Sequence, residues 1–252
     1  MCPSSAAFPA GLSAAELLQL WESGAAQHPL DRALTSLAAA EPGAMREELA
    51  RLPSGRRDER LLAVYERIFG GDLACQGCCP ECSEVVEFTL NVHDLLAVSG
   101  DEDWRQPLVL AHADYSVTYR PPDSFDLAAI ARLPDLTAAR QRLLERCILQ
   151  ASCAGVSIAL DQLPADVVGL VVEQMAAHDP LAVIELGLAC PACGCQWQLL
   201  FDIVSFLWRK IEAHARRLLL EVHTLAQAYG WREADILALS PARRQAYLEM
   251  VI

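Results

Sequence analysis

Two Cys-Pro-x-Cys motifs, Cys79-Pro80-Glu81-Cys82 and Cys190-Pro191-Ala192-Cys193, stand 111 positions apart, and the residues after them repeat one pattern without a gap. After the first come Phe88, Leu90, Val92, Leu95 and Leu96; after the second come Leu199, Phe201, Ile203, Phe206 and Leu207. Each motif places two thiols on one tight turn, and four thiolates from two such turns match the tetrahedral preference of zinc. The pattern predicts a single zinc ribbon split by a long insertion, with Cys79, Cys82, Cys190 and Cys193 holding one structural Zn2+ ion. Four protein ligands leave no open coordination position, so the motif points to a scaffold before an enzyme.

The chain has ten cysteines, and three more crowd the motifs: Cys75 and Cys78 form another CxxC upstream, and Cys195 follows the second motif by two. The repeat sets Cys75 and Cys78 opposite Leu186 and Ala189, where no thiol exists, and so argues against them as ligands. Cys2, Cys147 and Cys153 have no partner pattern, and the two interior ones are expected to be buried free thiols. The start, Met1-Cys2-Pro3-Ser4, lacks the basic and apolar regions of a secretory signal. A reducing cytoplasm is therefore the expected setting, where clustered CxxC pairs hold metal rather than disulfides.

Composition narrows the partners. With 20 basic against 33 acidic side chains the net charge is −13, which disfavours nucleic acid. No run approaches the roughly 20 apolar residues of a membrane span. The six histidines are scattered, and no HExxH, GxSxG, phosphate-binding or dinucleotide motif is present, so no catalytic set emerges.

The remaining signals describe a mainly helical α+β protein. A helical region is expected over residues 1–70, beginning after a Pro/Ser/Ala-rich leader. Its helices run over 14–22 behind the Ser13/Glu16 capping box, from Pro29 to a stop at Glu41-Pro42-Gly43, over 44–51, and over 58–69 to Gly70-Gly71. The first half of the ribbon occupies 71–98, with a strand over 84–90 and a short helix over 92–98. An inserted α/β segment, mostly helical, spans 99–181: an acidic loop at Ser99–Asp103, a strand at 115–119, and helices over 124–132, 136–151 and 164–177. The second half, 182–204, carries strands over 183–189 and 196–202. Residues 205–252 hold one long helix to Tyr229 and two short ones. Leu207, Ile211, Ala215, Leu218, Val222 and Leu225 draw an apolar seam down the long helix, read either as packing on the protein's own helices or as a docking surface for a partner helix. Arg216-Arg217 and Arg243-Arg244, near Trp208 and Trp231, read as solvated helix faces or as interface arginines.

This order of features resembles a known family. Arg56-Arg57-Asp58-Glu59-Arg60-Leu61-Leu62 leads to Glu66-Arg67-Ile68-Phe69-Gly70, then a CPxC knuckle, then a hydrophobic strand ending in His93-Asp94-Leu95. It is similar to the baseplate-hub assembly proteins of T-even-type contractile-tailed phages and related contractile injection systems, best over about residues 56–96. The ending Tyr229-Gly230-Trp231-Arg232-Glu233-Ala234-Asp235-Ile236-Leu237, with Arg243-Arg244 and Tyr247-Leu248, resembles those of phage-tail assembly proteins. The resemblance implies a non-enzymatic, chaperone-like protein that meets baseplate hub or spike proteins and leaves or stays in the tail-like particle. Two other readings fit the knuckles alone: a zinc-ribbon regulator contacting nucleic acid or the transcription machinery, and a redox-sensitive zinc chaperone that exchanges metal for disulfides.

Overall fold

The computed structural model describes residues 12–98 and 104–251. The leader with Cys2 and the acidic loop Ser99–Asp103 lie outside them. Helix α1 (Ala14–Gly24) opens as its sequence demands: the Ser13 hydroxyl accepts from the Glu16 N–H at 3.3 Å, and the Glu16 carboxylate accepts from the Ser13 N–H at 2.8 Å. Helix α2 (Pro29–Ala40) starts at its proline, and the short α3 (Arg46–Ala50) follows. Helix α4 (Ser54–Phe69) begins a turn before the expected Asp58. The reason lies 124 positions away, where the buried Asp179 carboxylate accepts from the Gly55 N–H at 2.8 Å and caps the helix.

Strands β1 (Asp72–Cys78) and β2 (Val85–Asn91) form an antiparallel hairpin whose turn is the first CPxC, and the short α5 (Val92–Leu96) follows. Then comes a four-stranded antiparallel sheet of β3 (Leu108–His112), β4 (Tyr115–Tyr119), β5 (Ile148–Cys153) and β6 (Val156–Ser157), in that spatial order. Helices α6 (Ser124–Ile130) and α7 (Leu136–Cys147) fill the connection from β4 to β5. Of these strands only β4 was expected. The helix expected to reach residue 151 stops at Cys147, because an ionic cluster fixes the chain there. Arg120 donates to the fully buried Asp126 at 2.6 and 3.1 Å, Arg146 Nε donates to it at 2.7 Å, and the Arg120 N–H donates to the Cys147 carbonyl at 3.0 Å. The chain leaves that point extended and pairs with β4. Helix α8 (Ala165–His178) covers the sheet, setting Val167 and Val171 on Leu110, Val117, Tyr119 and Ala151.

Strands β7 (Ile184–Ala189) and β8 (Gln196–Phe201) form the second knuckle hairpin. Helix α9 (Ile203–Tyr229) leaves it and runs for about 40 Å at the usual rise per residue. Its seam is covered by the protein's own helices. Leu207 and Ile211 enter the main core with Leu37, Leu61, Leu62 and Tyr65; Ala215 and Leu218 meet Leu17 and Leu18 of α1. Leu225 packs against Ile236 of α10 (Glu233–Leu237) and Leu248 of α11 (Pro241–Glu249). Each large aliphatic side chain buried this way contributes about 1.5–3 kcal/mol. The seam is therefore not the docking surface that its periodicity alone allowed. Of the four arginines near it, Arg244 is buried and its Nε donates to Glu221 at 2.9 Å, whereas Arg216 and Arg217 lie on the solvated face of the helix, pairing one turn along with Glu212 at 2.7 Å and Glu221 at 3.1 Å.

Candidate metal centre

The two knuckles are built alike. In the first, the Cys79 N–H donates to the Glu84 carbonyl at 2.9 Å and the Ser83 N–H to the Cys79 carbonyl at 3.0 Å; in the second, Cys190 donates to Cys195 at 2.8 Å and Gly194 to Cys190 at 3.0 Å. Every partner is displaced by the same 111 positions. The turn requires a left-handed residue, which is Ser83 at φ 60° and Gly194 at φ 75°. Glycine adopts that conformation freely, whereas serine does so with some strain. The correspondence continues into the helices beyond: Asn91 accepts from the His93 N–H to open α5, and Asp202 from the Val204 N–H to open α9, both at 2.9 Å.

This geometry brings together the four cysteines singled out by spacing. The sulfurs of Cys79, Cys82, Cys190 and Cys193 all lie within 4.8 Å of one another. The two tightest contacts, Cys79–Cys193 at 3.6 Å and Cys82–Cys190 at 3.5 Å, each cross from one hairpin to the other. Zinc–sulfur bonds of about 2.3 Å give a tetrahedron with edges of about 3.8 Å, so the cluster has the size for one such ion. The first cysteine of each knuckle is buried and the second exposed, which sets the centre at the edge of the paired hairpins.

The electrostatics favour a cation among the sulfurs. Main-chain N–H donation from Cys82, aided by Glu81, holds the Cys79 thiol down at about 6. Cys82 receives a similar bond from Glu84, but the Cys193 and Cys190 sulfurs beside it drive its own thiol up to about 12. Four sulfurs this close cannot all ionise against one another, and a bound divalent cation removes that repulsion. An ion held by all four sulfurs would have its tetrahedral positions filled by protein.

The neighbouring cysteines are placed differently. Cys75 is buried in β1 on the hairpin's inner face, where burial pushes its thiol up, and Cys78 is exposed at the strand's end. Neither joins the four-sulfur group. Cys195 lies beside Cys79, and burial followed by the Cys79 charge raises its thiol. Its main-chain contribution, closing the second knuckle and donating to Cys193, was not foreseen from the sequence, although the repeat equates it with Glu84. Cys147 sits against Asp126, and burial pushes its thiol up to about 12. His214 lies 5.9 Å from the Phe69 ring, and burial holds its imidazole below the usual range.

Searches of curated proteins and of solved structures give no match. The family model described as T4 bacteriophage base plate protein matches residues 30–208, a stretch that contains α2 to α8, both knuckle hairpins and the start of α9. By that match the chain belongs to the T4 bacteriophage base plate protein family.

Proposed function

We propose that this protein is a zinc-containing component or assembly factor of a contractile-tail baseplate hub, in a phage or a related injection system, acting through protein contacts rather than catalysis. The observation that carries the reading is the family match, which spans both knuckles and so takes in all four sulfurs of one closed cluster. In this reading Cys79, Cys82, Cys190 and Cys193 hold a single structural Zn2+. Such an ion contributes roughly 10–16 kcal/mol of folding free energy in small zinc modules, comparable to a whole domain's net stability. The chain's own residues then do the positioning. The first hairpin follows α4 and the second leads into α9, so fixing their tips to each other ties those two helices together.

The partners expected are hub or spike proteins, met in the cell cytoplasm and followed by release or retention in the particle. No helix among the described residues is long and apolar enough to cross a membrane. The net charge of −13 supports protein partners over nucleic acid. Affinity purification of the tagged chain, from cells producing the whole tail gene set, tests the reading: baseplate hub or spike proteins should co-purify. Recovery of none of them, with every one expressed, would sink it.

A further inference from the structure

The two hairpins pack inner face to inner face near their knuckles, where Gly77 of β1 leaves room for Leu188, Leu199 and Trp197. Toward α9 the space between them is a groove of about 890 Å³. Its floor carries an apolar strip, with Phe88 and Leu199 half-buried and Phe201 5.5 Å from Phe206, flanked by polar residues such as Gln76, Thr89 and Ser205. Its rim is cationic. Arg209 and Lys210 both lie over the Phe206 ring, at 5.9 and 5.6 Å, and neither makes an ion pair with a described residue. Lys210 is the only lysine in a chain whose net charge is −13. Two carboxylates also line the groove and keep their charge, each held by neutral donors rather than by the two cations: Asp202 caps α9 and accepts from Ser205, and Glu87 on β2 accepts from Gln76 at 3.0 Å.

We infer that this groove binds an acidic peptide segment of a partner protein, with an aromatic or branched aliphatic side chain seated between the hairpins and carboxylates meeting Arg209 and Lys210. The two cations without ion pairs select the occupant. An apolar side chain gains by leaving water for the strip, while a basic or neutral flank would leave two cations unmatched at the rim. Strand β8 pairs only with β7, so its second edge has no described strand partner and can bond the backbone of an extended segment. The inference rests on the reading of the chain as a protein-binding component. It adds where the partner sits and what chemistry it presents.

The test is a display selection of random octapeptides on the full-length, metal-loaded chain, with an R209E/K210E double variant and a milder R209Q/K210Q variant alongside. Enriched peptides should pair Asp or Glu with an aromatic or aliphatic residue. Their affinity should fall with added salt and drop by about tenfold or more in the charge-reversed variant, with circular dichroism and metal content unchanged. No enrichment at all, enrichment without acidic bias, or binding by the charge-reversed variant as tight as by the wild type would overturn the inference. So would Arg209- and Lys210-dependent binding of a single-stranded DNA oligonucleotide with no peptide enriched. Purification from the tail-producing cells separates this from the wider reading: a double variant that still recovers baseplate proteins as well as the wild type refutes the groove and leaves the assembly role standing.

Discussion

Replacing Gly55 by alanine should loosen the junction that brings the two knuckles into register. Gly55 is the second residue of α4, and its N–H is bound by Asp179 at 2.8 Å. An added Cβ would run into Asp179 Oδ1 and stand 2.8 Å from Asp179 Cγ and 2.6 Å from the Ala182 main-chain nitrogen. Two of those atoms belong to the capping carboxylate and one to the backbone, so the overlap is relieved only by moving the segment that enters β7. Breaking the cap and leaving its buried donor unpaired costs about 1–3 kcal/mol in all. Overpacking adds about 1–3 kcal/mol, and alanine's helix propensity returns about 1 kcal/mol. A net loss of about 3 kcal/mol follows, or roughly 6–12 °C in melting temperature for a chain of this size. Thermal and urea unfolding followed by circular dichroism measure it, with Gly187→Ala as the control, since a Cβ there meets nothing within 4 Å. In an Asp179→Ala background the cost should shrink by more than half, because the clash and the cap share one partner. A Gly55→Ala protein as stable as the wild type, or a cost unchanged by Asp179→Ala, would refute the reasoning.

Other substitutions probe the rest of the account. Cys79→Ser should lose the metal and much of the hairpins' protection from hydrogen exchange, whereas Cys78→Ser, outside the sulfur cluster, should retain both; loss of metal from both variants would contradict the ligand set. Burial pushes the Asp58 carboxyl up to about 6 despite its bond with Arg57. The folded protein therefore binds that proton more tightly than the unfolded chain, so the contribution is fully present below about 3.8 and is lost as pH rises through about 6, with up to about 3 kcal/mol given up at neutral pH. A carboxyl carbon titration by NMR should find a midpoint near 6, and one below the ordinary aspartate value would reject the burial argument. Arg244→Ala leaves the buried Glu221 with Arg217 alone and should cost about 3 kcal/mol, releasing α11 first, as read by hydrogen exchange and by Trp231 fluorescence beside Tyr247. Pairing it with Glu221→Leu should recover most of the loss.

The parts legible in the sequence were those written in local chemistry. The knuckles stand in the cysteine spacing, the starts of α1, α2 and α11 in Ser13, Pro29 and Ser240-Pro241, and the buried face of α9 in its apolar seam. The early start of α4 was illegible because its cap comes from Asp179. Strand β1 was missed because its inward residues, Leu73, Cys75 and Gly77, include little that is β-branched or aromatic. The repeat held the answer: shifted back, the strand expected over 183–189 falls on 72–78. Strand β5 follows α7 with no proline or glycine between them, so only the Arg120–Asp126–Arg146 cluster marks the change. The groove at Arg209 and Lys210 has no local signature at all, since it exists only where two hairpins separated by the insertion face each other.

Four sulfurs, drawn from two knuckles of one repeat, should close around a single structural ion. Metal analysis of the natively purified chain, combined with X-ray absorption at the metal edge, tests it most directly. One zinc per chain with four sulfur ligands at about 2.3 Å is the expected result. A protein that folds with no metal, or an ion bound through nitrogen or oxygen, would contradict it.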